Sequence, residues 1–408
     1  MAVLKFQHAR ETVLEQIRSA IYNHNPTFLL EEESVSLLES NGRVLAERVC
    51  ADRDFPPFQR STRDGFAVRS ADLAHIPVEL QCQGLVKAGE QFAGIVRAME
   101  CVEIMTGAPV SEGADAVVMV EYMSQKDNRV QVNRAVAPAE NVVARGSEAR
   151  QGELLLPAGR RIGYAEISMM ASVGREKVSV YRKPRVAIIP TGDEVVEVGT
   201  APGPFQIRNS NGYSLQAQVA SAQSIPLAIG IAPDEESRLK QMIEEGLESD
   251  LLLLSGGVSM GKFDLVEKVL AELEAEFFFD GVAIQPGKPL AFGCAGGTFF
   301  FGLPGNPLST MVTFELFVRP ALALLSGESA APLIFLRARL AKEFRRKPGL
   351  AAFLPSLLEG GYHDPVVSLV QWKGSGDVAS VNRANCYLAI PEEAEVLQAG
   401  DWVSVLPR

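Results

Sequence analysis

The chain has 408 residues, 47% of them hydrophobic and 22% charged, with a formal net charge of −11. That length gives room for roughly two to four domains with their own cores, and the composition is that of an ordinary folded protein, not a disordered one. The negative balance argues against nucleic acid or an anionic membrane as a main partner. An anionic ligand would need local N–H groups, a few basic side chains or a metal to overcome it.

In chain order, residues 1–45 read as helical. Leu4, Ala9, Val13, Ile17 and Ile21 fall near one face, and LLEEESVSLLES reads as a second amphipathic, turn-rich piece. The N-terminus shows no signal-peptide core, and no apolar run reads as a membrane span, so the expected location is cytoplasmic. From about Val49 the period changes to short β-like runs, VELQCQ, CVEIMTG, DAVVMVEYM and RVQVNRAV, a β-rich module reaching roughly Val143. A short helix at 164–173 leads to a boundary at 182–184. From Arg185 strands and helices alternate: RVAIIP, NGYSLQAQVASA, PLAIGIA, a helix with Leu239, Met242, Ile243 and Leu247 in one stripe, then DLLLL, a glycine turn and DLVEKVLAEL. TFFFGLPGNP ends another strand, and MVTFELFVRPALALL reads as an apolar helix. This is the pattern of a doubly wound α/β domain, which binds ligands at the carboxyl ends of its strands. From about Pro332 the runs IFLRARLA, VVSLVQW, CYLAIP and WVSVLP read as a small barrel or sandwich. The five cysteines (Cys50, Cys82, Cys101, Cys294, Cys386) form no CxxC pair and read as reduced thiols, and the four histidines are isolated, so no His/Cys zinc site is expected.

Four polar turns follow apolar strands of the α/β region: PTGDE (190–194), APDEE (232–236), SGGVSMGKFD (255–264) and LPGNP (303–307). Parallel connectivity would bring them to one sheet edge. That edge would hold Asp193, Glu194, Asp234 and Asp264 beside glycine-rich backbone. Singly, each acid reads as a helix cap or a solvated loop residue, Asp264 above all. Together they suggest a metal-assisted reaction at a phosphate or oxyanion, because carboxylates repel such groups and a hard cation such as Mg²⁺ bridges them. The Ser255-Gly256-Gly257 turn, between a buried strand and a helix, is a natural anion cradle. Gly256–Lys262 matches the start of a P-loop, but Phe263 stands where the Mg²⁺-binding hydroxyl belongs, which counts against a nucleotide hydrolase. Lys288 sits in the rigid turn PGKP, either poised or merely solvated. Gly305 and Asn306 of LPGNP either expose N–H groups or only redirect the chain. Asp64-Gly65 and Thr106-Gly107, in the β-rich module, read by themselves as turn chemistry.

Taken together, PPFQRSTRDGFAVR, IMTGAPVSEGADAVV, ARGSEA, PTGDE, IRNSNGY, SGGVSMGKFD, QPGKPLAFG and GLPGNPLS, in this order along nearly the whole chain, resemble the molybdopterin molybdenumtransferase family, MoeA in bacteria and the E-domain of gephyrin. The resemblance implies a transferase that takes adenylylated molybdopterin and molybdate, with Mg²⁺, inserts the metal at the dithiolene and releases AMP. It implies a homodimer whose cleft combines the α/β domain of one subunit with the β-rich insert of the other, and an adenylyltransferase as a possible upstream partner. The expected fold class is α/β multidomain: an elongated helical part (1–45 and 144–182), a β-rich insert (46–143), a doubly wound α/β domain (183–328) and a small C-terminal β-barrel (329–408). Carried over by position, Asp64, Thr106 and Glu148 are cleft residues; Glu194, Asp234 and Asp264 are acids on the metal side. Ser255, Gly256, Gly257 and Ser259 form the pterin-phosphate turn. Lys288, Pro304, Gly305, Asn306 and Pro307 complete the binding set. The chain departs from the family pattern at Arg63 (usually Met), at Glu148 (usually Asp), and at Gly281 and Gln285, where many members carry lysines. Those departures support an alternative, a catalytically reduced paralogue that binds molybdopterin or a partner protein. A tungsten-using relative would look the same from its sequence.

Overall fold

The structure, a computed structural model, describes residues 3–23, 30–257, 265–329 and 332–408. The chain forms two compact units. One contains Met1–Ala46, Gly159–Gly163 and Val178–Arg408; the other contains Glu47–Ala158 and Tyr164–Lys177. The helical part expected at 1–45 and 144–182 is therefore divided between the two.

Helix α1 (Phe6–Tyr22) buries Ala9, Val13 and Ile17 at i, i+4, i+8 spacing, together with Phe6 and Leu14. That stripe joins the core of the first unit, where Phe6 meets Phe317 edge-on at 5.8 Å and Phe353 at 5.0 Å. The packing explains why the helix does not stand apart: an apolar side chain gains about 1.5–3 kcal/mol on full burial. LLEEESVSLLES is not helical as expected. Glu32–Ser36 is a strand beside Lys177–Tyr181. Ser36 then closes a turn by donating from its N–H and hydroxyl to Glu39 Oε2, at 3.1 and 2.6 Å. Such local side-chain bonds compete with helix formation.

The second unit is built on a six-stranded sheet. Its strands are β1 (Gly65–Val68), β2 (Val78–Val86), β3 (Glu100–Ile104), β4 (Ala116–Met119), β5 (Met123–Lys126) and β6 (Arg129–Val132), in the order β4-β1-β3-β2-β6-β5. Only β2 and β3 pair in parallel. Side chains alternate between two small cores. Phe66, Val68, Cys101 and Val118 line one face; Ala67, Val102, Ile104 and Val117 line the other. Helix α2 (Tyr164–Ser172) belongs to this unit.

In the first unit, β7 (Arg185–Pro190), α3 (Ser210–Ser221), β8 (Ile225–Ala228), α4 (Glu236–Gly246), β9 (Leu251–Ser255), α5 (Leu265–Glu272), β10 (Glu276–Phe279), β11 (Ala291–Ala295) and β12 (Thr298–Leu303) form a sheet in the order β8-β7-β9-β12-β11-β10. The first four strands are parallel; β11 and β10 add an antiparallel hairpin edge. Both faces are covered, so the strands are apolar throughout. Val186, Ile188, Leu251, Leu253, Phe299 and Phe301 face the core shared with α1 and α3, while Ala187, Ile189, Leu252, Leu254 and Phe300 face α4 and α5. Strand order reverses between β7 and β9, and the crevice at that switch point is where such folds bind ligands.

Helix α6 (Pro307–Thr313) continues through a π-helical turn, Phe314–Val318, into α7 (Arg319–Leu325). This run is long and apolar enough to cross a membrane, contrary to the expectation from sequence, but 78% of its most apolar window is buried inside the protein. It is a core helix. The C-terminal strands β13 (Leu336–Leu340), β14 (Ala351–Gly360) and β15 (Pro365–Leu369), then α8 (Val378–Arg383), β16 (Cys386–Ile390) and β17 (Trp402–Pro407), close a five-stranded barrel in which β14 pairs with both β15 and β16.

Candidate functional site

A cavity of about 690 Å³ opens at the switch point, lined by the ends of β7, β9 and β12 and by the start of α3. Three glycines define its floor. Gly256 has φ +98°, and a Cβ there would lie 2.9 Å from both the carbonyl oxygen and Oγ1 of Thr191. Gly257 also has positive φ, +61°. Gly305 approaches within contact of Gly256, since its Cβ would sit 3.6 Å from the Gly256 Cα. Only glycine fits the first two backbone conformations without strain. The turns are tied by side chains. Asn209 Oδ1 caps α3 by accepting from Gly212 N–H at 2.8 Å. Asn211 Nδ2 donates to Ser255 Oγ at 3.0 Å and to the Gly305 carbonyl at 2.8 Å, which joins the glycine turn to LPGNP. The N-terminus of α3 therefore points into a glycine-rich cradle suited to a phosphate.

The acids lie on the same cavity. Glu194 and Asp234 both line it, whereas Asp193 turns aside to accept from the Asp234 N–H at 3.0 Å. The Glu194 carboxylate lies over Gly192, whose φ is +127° and whose Cβ would be 2.3 Å from Glu194 Oε2. Ser255, Gly256, Gly257, Pro304, Gly305 and Pro307 also line this cavity. Ser259 and Asp264, placed in this set by sequence, lie outside the described residues. Among the described residues, no group of three or more His, Cys, Asp or Glu could hold a metal ion without help.

A second cavity, of about 750 Å³, adjoins the first and shares Pro289 and Pro304 with it. Lys288 and Asn306 line this one and not the first. Sequence reading grouped them with the glycine turn; the rigid PGKP and LPGNP turns instead aim them to its far side. Arg346 and Lys347, from the loop before β14, also line it, and none of its described lining residues is a carboxylate. Arg346 donates from Nε to the Lys347 carbonyl at 3.2 Å and from Nη2 to the Leu350 carbonyl at 2.6 Å. Its Nη1 is buried with no hydrogen-bond partner. Burial pushes the guanidinium below its ordinary pKa. A half-buried cation with an unfilled donor is prepared for an anion.

In the second unit, Thr106 donates to Asp64 Oδ1 twice, from its N–H at 2.7 Å and from its hydroxyl at 3.0 Å. These two bonds, the backbone one foremost, hold the carboxyl below its ordinary pKa. The sheet register explains the meeting: Gly65 of β1 lies opposite Ile104 of β3, which sets Asp64 beside Thr106. A Cβ on Gly65 would lie 2.0 Å from the Val118 carbonyl oxygen, so the residue after Asp64 must be glycine. Glu148 instead accepts from Arg60 Nη2 at 2.7 Å, in an exposed ion pair.

Three family models match the chain in order: the MoeA N-terminal region, domains I and II, over residues 4–174; the probable molybdopterin binding domain over 187–324; and the MoeA C-terminal region, domain IV, over 337–407. A molybdopterin molybdenumtransferase of Staphylococcus epidermidis is 32% identical over 381 residues, spanning 91% of this chain and 90% of its own. The chain belongs to the molybdopterin molybdenumtransferase family. Its work lies in molybdenum cofactor biosynthesis, as a transferase. The molybdopterin molybdenumtransferase of Bacillus subtilis is 33% identical over 385 residues, 92% of this chain and 90% of its own. The crystal structure of a molybdopterin biosynthesis MoeA protein from Pyrococcus horikoshii matches 100% of both chains with a TM-score of 0.80 and 29% identity.

Within this molybdenumtransferase the two positions without lysine are unlike each other. Gln285 is exposed at the edge of the cationic cavity. Gly281 is buried under the N-terminal segment: its carbonyl accepts from Leu4 N–H at 3.0 Å, and a Cβ on it would lie 3.2 Å from Val3 Cγ2. Arg346 and Lys347 were not singled out from sequence. The signal was there in FRRKPG, a basic cluster in an acidic chain, but its distance in sequence from PGKP hid the connection. Asn209 and Asn211 were also missed as site residues. The run IRNSNGY, a strand end leading into a helix through Asn, Ser and Asn, is an N-cap signature.

Proposed function

We propose that this transferase inserts molybdate-derived metal into adenylylated molybdopterin and releases AMP. One observation supports the reading most: two adjoining cavities of opposite character. The first joins a phosphate cradle to Glu194 and Asp234; the second gathers Lys288, Arg346 and Lys347 with no described carboxylate. A phosphorylated pterin seated at Gly256-Gly257 would extend past Pro304 toward the cationic cavity, where a small oxyanion such as molybdate would lie. The residues fit Mg²⁺ in the first cavity. Glu194 and Asp234 offer hard carboxylate oxygens, and Mg²⁺ commonly binds through one or two carboxylates plus substrate phosphates. When bound, the ion supplies charge neutralisation at the phosphates. The protein's own part is to fix the phosphate with backbone N–H groups, hold the oxyanion with Arg346 and Lys288, and keep the two anions apart. We further infer a cytoplasmic homodimer of four-part chains, with Asp64 and Thr106 of the insert completing the cleft of the partner subunit, and an adenylyltransferase supplying the substrate.

The reduced-paralogue reading rests on the missing lysines. Gln285 keeps it alive, while Arg346 and Lys347 supply cations that sequence alone did not credit to the cavity. The test is turnover. Purified protein given adenylylated molybdopterin, Mg²⁺ and molybdate should release AMP in step with metal-loaded cofactor. Binding of the pterin with no AMP release, under conditions where a Bacillus subtilis relative turns over, would favour the paralogue.

A further inference from the structure

Two of the five free cysteines, Cys82 and Cys101, lie directly opposite each other on neighbouring parallel strands, β2 and β3. Their side chains face the same core of the second unit, with Cys101 fully buried and Cys82 half-buried at its edge. The Cys101 thiol is pushed up chiefly by burial and secondarily by the neighbouring Cys82. Neighbouring strands lie about 4.8 Å apart, and a disulfide spans Cα separations of about 4.4–6.8 Å. The ladder is also interrupted just beyond Cys82. Register shifts between Cys82 and Leu85, Gly84 has φ +154°, and Cys82 Sγ donates to the Gly84 carbonyl at 3.4 Å. A bulge there locally disrupts the ladder and bends the strand beside Cys82.

We propose that Cys82 and Cys101 are a site of reversible thiol oxidation, closing a cross-strand disulfide when the protein meets a hydroperoxide. Cys82 is the point of entry because it reaches the surface. Its thiolate attacks a peroxide oxygen: an S–O bond forms, the O–O bond breaks, and hydroxide leaves with the thiol's proton as water. Cys101 sulfur then attacks Cys82 sulfur. An S–S bond forms, the S–O bond breaks, and the hydroxyl departs as a second water with the Cys101 proton. Two thiols lose two electrons, and one peroxide becomes two waters. Burial pushes the Cys101 thiol up to about 12, so it keeps that proton until the second step. The protonated thiol therefore reacts slowly with peroxide itself, since the thiolate is the nucleophile, and it gives up its proton to the departing hydroxyl as its sulfur attacks the adjacent Cys82. The inference is independent of the proposed reaction.

The test uses the full chain, treated with a modest excess of hydrogen peroxide and then denatured with thiol-blocking reagent. Free thiols should fall from five to three, digestion should yield one linked peptide pair containing Cys82 and Cys101, and dithiothreitol should restore all five. In Cys82→Ser the oxidation of Cys101 should slow at least tenfold. Cys82 driven to sulfinic acid with Cys101 still free, linkage to a second chain, or Cys101 oxidised equally fast in Cys82→Ser would each overturn it. The wild-type mapping stands even if the variant folds poorly.

Discussion

At the scale of single residues, Asp64 and Thr106 make the sharpest prediction. Asp64 binds its proton more weakly when folded, because Thr106 donates to the carboxylate. The pair therefore supports the fold above the ordinary carboxyl value of 3.8 and loses that contribution as pH falls through the lowered folded pKa. Thr106→Val removes the hydroxyl bond and keeps the backbone one. A carboxylate NMR titration should find Asp64 moved up toward its ordinary value, and an unmoved titration would contradict the pairing. Arg346 gives a second prediction. Arg346→Met should weaken molybdate binding by about 1.5–3 kcal/mol, roughly 10- to 150-fold, the cost of losing hydrogen bonds to a charged group. Gln285→Lys adds a cation at the edge of the same cavity, and about 1 kcal/mol of attraction in a water-like dielectric would tighten molybdate roughly fivefold. Equilibrium dialysis with labelled molybdate measures both. Glu194, Asp234, Gly256 and Gly257 could be grouped from sequence because each follows a strand by a short offset, and all four line one cavity. Arg346 could not, because a C-terminal loop meets PGKP only through the fold.

Among the elements, the alternation of strand and helix from Arg185 was legible because each strand is apolar on both faces and each helix carries one stripe. Strand β14 was not. AAFLPSLLEG has a proline in its middle, which argues against a paired strand, yet Pro355 lies opposite Tyr387 with its carbonyl accepting from Val370 N–H at 3.0 Å. The Glu32–Ser36 strand was hidden because LLEEESVSLLES reads as an amphipathic, turn-rich piece of a helical segment, while the structure pairs it with Lys177–Tyr181 and turns the chain through Ser36 and Glu39. The glycine turn after β9 carries a prediction of its own. Gly256→Ala puts a methyl 2.9 Å from Thr191 and forces φ +98° on an alanine. The strained backbone should cost about 1–3 kcal/mol, seen as a lower thermal midpoint. Pterin binding by calorimetry should be lost more completely than stability. Normal pterin affinity in this variant would mean that the turn does not hold the phosphate.

For the whole molecule, a chain of net charge −11 brings Lys288, Arg346 and Lys347 to one cavity with no described carboxylate. The N-terminal segment lies over one of the two positions without lysine: Leu4 pairs with the backbone at Gly281 and Ala283, and Val3 occupies space that a lysine at 281 would require. Restoring lysine there should therefore help less than at Gln285. The central claim is that two adjoining cavities divide the work, phosphate with Mg²⁺ in one and molybdate in the other. The most direct measurement is steady-state AMP release with molybdate and Mg²⁺ varied independently, in the wild type, Glu194→Gln and Arg346→Met. The account predicts that Arg346→Met raises the KM for molybdate at least tenfold with its Mg²⁺ requirement unmoved, and that Glu194→Gln raises the Mg²⁺ requirement with the molybdate KM nearly unchanged. If both variants shifted the same parameter, the division between the cavities would be contradicted.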